Sequence, residues 1–164
     1  MIVSALGDLT ATTAANAVAI AGVSVKTNVL NARILAGYTA SLGAANPDAG
    51  IGAVTVGGNW DASSMAAGVK DTSVAGNLAS PADGFGRNDT LVGGDTTPTL
   101  FATIASITVK NIATGSAGAG DHFGITAQRI LKAKFGATTV TLTTGAENEL
   151  LDVTHNDFRL VDFA

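Results

Sequence analysis

Two histidines, a group of acids near the C-terminus, a short basic cluster and a row of threonines are the residues whose types could do chemistry. Zinc needs three or four ligands at set spacings, and neither Asp121-His122 nor His155-Asn156-Asp157 supplies that framework. Both histidines therefore read as turn or surface residues. Glu147, Glu149, Asp152 and Asp157 could attract a divalent ion. On a strand or turn they need not converge, and surface solubility accounts for them. Arg129, Lys132 and Lys134 could touch an anion, although a solvated face is the simpler reading. Ser63-Ser64 has no base beside it. Gly115, Gly118 and Gly120 form a small-residue turn without the strand and helix that a dinucleotide fingerprint requires. Thr139, Thr141 and Thr143 would make an outward row of the kind that binds ice, but such an array has to recur on neighbouring strands.

The elements that must position these residues are constrained by composition. The chain has 164 residues, enough for one domain with a real core. Apolar residues are 46% and charged residues 13%, which is too apolar for disorder. Aromatics are 5%, so the core must be built from small and β-branched side chains. The net charge of −4 and the scattered Lys and Arg exclude nucleic acid as an expected partner. The absence of Cys removes disulfides, thiolate metal sites and cysteine nucleophiles. Met1 to Asp8 has no basic region and does not read as a signal peptide. No run reaches the length of a membrane-spanning helix.

One phrase, Ile-x-x-Φ-x-Φ with Φ apolar, occurs four times, beginning at Ile20, Ile51, Ile104 and Ile130. A shift of 31 residues between the first two copies also aligns Asn28 with Asn59, Val29 with Trp60, Ile34 with Met65 and Tyr38 with Val69. Φ-x-Φ is the period of a strand with one buried face. Ser24, Thr55, Thr108 and Lys134 would then point outward. Stacking such units about 4.8 Å apart puts Val on Val and Ile on Ile. The pattern predicts an all-β fold, a right-handed parallel β-helix (β-solenoid) with variable-length loops. Residues 1–164 would form a single domain, cut from a longer repeat protein, with 70–103 as a long inserted loop. Shorter loops are expected at Ser41–Gly50 and Gly115–Asp121. Further strands are expected at Phe123–Ala127, Thr139–Thr143, Leu150–Val153 and Phe158–Phe163, and Thr10–Ala21 is read as an outer strand segment rather than a helix.

The stretches Ile51–Trp60, Ala62–Val69 and Asp121–Ile130 resemble the repeats of large exported bacterial β-strand-repeat surface proteins. The resemblance runs from about Ile20 to Phe163. It implies an extracellular or cell-surface location and brings no catalytic residues with it. A second resemblance is narrower. Gly84-Phe-Gly-Arg-Asn-Asp-Thr-Leu-Val-Gly-Gly-Asp95 looks like one unit of the Gly/Asp nonapeptide of RTX calcium β-rolls. It implies calcium, with Asp89 and Asp95 as ligands and Asn88 in support. A single unit supplies half of such a site.

These observations predict a non-enzymatic structural or adhesive module. Surface polysaccharide and end-to-end self-association, or neighbouring repeats, are the expected contacts, and no cofactor other than calcium is implied. A calcium-dependent binding module is the first alternative. The second is a carbohydrate-active β-helix enzyme, which would need carboxylates gathered on one face and aromatic platforms such as Trp60. Trp60 aligns with Val29, so packing is its default role.

Overall fold

A computed structural model describes residues 1–72, 84–95, 97–117, 121–143, 147–148 and 155–164. These are strand and turn, with almost no helix. In chain order the strands are β1 (Ile2–Ala5), β2 (Val18–Val25), β3 (Val29–Leu30), β4 (Arg33–Ala36), β5 (Gly50–Val56) and β6 (Trp60–Asp61). They continue with β7 (Ser64–Ala67), β8 (Val69–Lys70), β9 (Thr90–Leu91), β10 (Thr103–Val109), β11 (Ala113–Thr114) and β12 (Phe123–Ala127). The last are β13 (Arg129–Ile130), β14 (Ala133–Phe135), β15 (Thr138–Thr139), β16 (Glu147–Asn148) and β17 (Phe158–Asp162).

The four copies of the phrase meet in one sheet, of order β15-β14-β10-β5-β2 with β13 also on β10. Val23 and Val25 lie opposite Val54 and Val56, and these lie opposite Ile107 and Val109, all in parallel register. Ala133 and Phe135 follow, beside Ile107 and Val109. The polar row Ser24, Thr55, Thr108 and Lys134 runs alongside, so a lysine ends the row of hydroxyls. The 31-residue shift also sets the pairing of Val29 with Trp60 and of Ile34 with Met65. Asn59 donates its backbone N–H to Asn28 Oδ1 at 2.9 Å.

A second sheet has the order β1-β4-β7-β12-β17-β16, a third joins β11, β6 and β3, and β8 pairs with β9. Side chains from the three larger sheets fill one core, in which Trp60, Phe158, Ile34, Ile51, Met65, Ile104, Ile107, Ile125 and Leu160 are almost wholly buried. Trp60 is 0% exposed and donates its indole N–H to the Ser63 carbonyl at 2.9 Å.

The expected right-handed parallel β-helix, or solenoid, is corrected here. Among the described residues the strands form four separate sheets, and no strand pairing joins one sheet to another. Their direction is mixed: β14–β15, β16–β17 and β8–β9 are antiparallel. The chain reverses at Gly136, whose φ is +58°, where the repeat pattern called for another parallel crossover. The physical reason is that Ile-x-x-Φ-x-Φ specifies a local ladder. It fixes which side chains stack, and it fixes neither the path nor the hand of the connections. The protein is a mixed, multi-sheet all-β molecule.

β12 covers Phe123–Ala127 as expected, while other boundaries differ, the last strand ending at Asp162 rather than Phe163. The strand at Thr139 is short, Thr138–Thr139, because it follows directly on the reversal. Within Thr10–Ala21 the strand starts at Val18, after turns. Leu150–Val153 lies outside the described residues. Part of 70–103 is built into the fold, since β9 pairs with β8. Among the described residues no helix is long and apolar enough to cross a membrane.

Candidate functional site

β17 alternates as a strand with one core face should. Phe158 and Leu160 enter the core, while Arg159 and Val161 face the other side. The glycine-rich segment from Gly84 to Asp89 lies across that other side. Phe85 anchors it, buried among Leu35, Tyr38 and Ala66 and edge-on to the Tyr38 ring at 6.3 Å. Gly84 has φ +102°, and a Cβ there would stand 1.9 Å from the His122 carbonyl oxygen. Gly86 has φ +109° and meets the backbone of Phe123 and Gly124. Glycine is required at both places because the loop runs backbone against backbone on β12.

Acids hold the loop in shape. Gly84 donates its N–H to Asp71 Oδ2 at 3.0 Å, and Gly86 donates to Asp89 Oδ2 at 2.7 Å. The Thr72 hydroxyl donates to the Asn88 carbonyl. Asn88 itself takes a left-handed φ of +59°. Burial raises the Tyr38 phenol far above its ordinary value, and the charges of Asp71 and Asp89 add to the rise.

Between loop and strand lies a cavity of about 290 Å³ lined by Arg87, Asn88, Asp89, Arg159, Val161 and Phe163, with Gly86 at its edge. Two arginines, with Asp89 beside them, thus line one opening. Arg87 also reaches His122, Nη1 to Nε2 at 3.3 Å. Two apolar side chains, one aromatic, complete the wall.

The residues singled out for calcium are divided by this arrangement. Asn88 and Asp89 line the arginine pocket, and an Asp89 oxygen is held by Gly86. Asp95 caps a different turn, accepting the Thr97 N–H on Oδ1 at 2.6 Å. Its charge acts on Asp48, whose carboxyl is raised chiefly by burial. Among the described residues no three His, Asp or Glu side chains gather where they could hold a metal ion.

The other candidates fall into structural roles. The Ser63 hydroxyl accepts from the Ala32 N–H at 2.9 Å and donates to the Asp61 carbonyl at 2.7 Å. His155 contacts the Ala113 carbonyl through Nδ1 and lies edge-on to Phe135. Arg129 Cζ stands over the Phe101 ring, 3.8 Å from its centre. Asp157 accepts the Ser116 N–H on Oδ1 at 2.6 Å, and burial lifts its carboxyl above the ordinary range against that bond. Ser116 in turn donates to Asp121. Glu149 and Asp152 lie outside the described residues.

Sequence reading did not single out Arg87, Arg159 or Asp48 as functional. Arg87 sits inside the Gly84–Asp95 stretch that drew attention to calcium, so the signal was there with the wrong sign of ligand. Arg159 is 72 residues further on (159 − 87), and no spacing rule links the two.

No family model matches the chain, and neither a curated protein nor a solved structure shows significant similarity to it.

Proposed function

We propose that this protein is a non-enzymatic adhesive module of a bacterial surface or extracellular protein, and that the pocket under the Gly84–Asp89 loop takes an acidic polysaccharide. The pairing of Arg87 and Arg159 at one opening carries the reading. A guanidinium offers forked N–H donors that match a carboxylate, and it keeps its charge at any ordinary pH. Asn88 and Asp89 add polar groups for sugar hydroxyls, and Phe163 adds an apolar ring for a sugar face. The site has the architecture expected of binding loops, a shaped segment clamped on a rigid sheet. The surface location rests on the resemblance of Ile51–Trp60 and its neighbours to exported β-strand-repeat proteins.

The test is retention on immobilised polygalacturonate compared with immobilised neutral dextran, with assay of reducing ends released from the acidic polymer. The expected result is retention on the acidic polymer, weakened by salt, with no reducing ends released. Equal retention on both polymers would count against the arginine pocket, and release of reducing ends would make the protein an enzyme.

A further inference from the structure

We propose that the exposed edge of β2 is a strand-pairing interface through which two copies of this chain join as a two-fold dimer. This goes beyond the polysaccharide reading and does not depend on it.

β2 is an edge strand, with β5 on one side and no described strand on the other. It is eight residues long, Val-Ala-Ile-Ala-Gly-Val-Ser-Val, without a charge or a proline. Natural edges are usually blunted by charge, proline or shortness, and this one has none of these. A register irregularity between Val18 and Ile20 touches its first residues alone.

The burial of the ladder falls off at this edge. Val54, Val56, Ile107 and Val109 are at most 1% exposed. Val23 and Val25 occupy the same rows one strand out, and both are only half-buried. β1 is an edge as well, and its core-facing Val3 is likewise only half-buried, whereas Val29 on the edge strand β3 is already enclosed.

A second copy is the occupant that fits. The far side of the same sheet is closed by the antiparallel strand β15, and the far side of the β1 sheet by β16. Those strands are two residues long and give no matching template for head-to-tail growth. The β2 edge finds its match in another β2 edge. A two-fold axis between the two β2 strands, perpendicular to the sheet, makes the pairing antiparallel and self-complementary, and it closes the assembly at two. In that arrangement Lys26, just beyond the strand, lies at the opposite end from its mate, so like charges stay apart.

Sedimentation of the whole chain over a wide concentration range tests the proposal. The expected result is a reversible rise from 16.2 kDa to twice that mass. Ala21 is exposed at the middle of β2, so Ala21→Lys and Ala21→Glu should each remain monomeric, with thermal midpoints equal to the parent's at concentrations where the parent is itself monomeric. Mixing the two variants in equal amounts should restore a dimer. A monomer at every concentration, an open-ended series of larger species, or a dimer that survives both substitutions would overturn it.

Discussion

Trp60 is enclosed on every side, and its N–H reaches the Ser63 carbonyl, so the one tryptophan serves the core and offers no platform to a sugar. Trp60→Ala should cost about 3–5 kcal/mol in urea unfolding. Trp60→Phe should cost less while leaving the Ser63 carbonyl without its donor, about 1–3 kcal/mol. A loss within error for both would contradict this role. Asp48 makes a different prediction. Its carboxyl is buried, and Oδ1 has no hydrogen-bond partner among the described residues. Burial first, and the Asp95 charge second, raise it, so the folded protein holds this proton more tightly than the unfolded chain does. That stabilisation is fully present below the unfolded value of about 3.9 and is lost as pH rises through the raised folded value. Asp48→Asn removes the titration. Its stability relative to the parent should therefore climb as pH is raised from about 4 toward neutrality. Urea midpoints that move in parallel for the two proteins across that range would refute it.

At the scale of elements, a ladder shared by three strands gives an internal comparison. Val54 and Val23 are paired in register, yet Val54 is 1% exposed and Val23 is half-buried. In chemical unfolding of the monomer, at low protein concentration, Val54→Ala should destabilise clearly more than Val23→Ala, because the cavity left in a closed core is the larger cost. Equal losses would mean that the β2 row is as enclosed as the β5 row. The Gly84–Asp89 loop is the other element with a sharp expectation. Gly84→Ala combines a strained φ with a Cβ directed at the His122 carbonyl, so the loop must lift from β12. Loss of polymer binding together with a lowered midpoint is expected, and a variant that binds as the parent does would contradict the backbone-on-backbone contact.

These same elements show what could be read from the sequence. The pairing of Val23, Val54 and Ile107 was legible because β-branched residues at period two repeat with an unchanged phrase, and a parallel ladder stacks like on like. The course of the chain between ladders was not legible. A lone glycine in Phe135-Gly136-Ala137 reverses the strand, while similar glycines elsewhere do not. The direction of a connection depends on tertiary packing that no local pattern records. The pocket was half legible. Its loop announced itself by glycines and Asp89, but its chemistry turns on Arg159, which a distant strand supplies.

At the scale of the whole molecule, a net charge of −4 makes the arginine pocket a local exception on an acidic protein. Long-range attraction therefore contributes little to the capture of a polyanion, and binding has to come from contact. The dependence on salt should accordingly be moderate, since exposed charges are screened beyond about 8–10 Å at ordinary ionic strength. The most direct measurement is calorimetric titration of a galacturonate oligomer into the protein, into Arg87→Gln and Arg159→Gln, and into the parent in excess chelator. The account predicts saturable binding by the parent, at least tenfold weaker binding by each variant with unchanged thermal midpoints, and no effect of the chelator. Undiminished binding by both variants, or binding abolished by chelator, would contradict it.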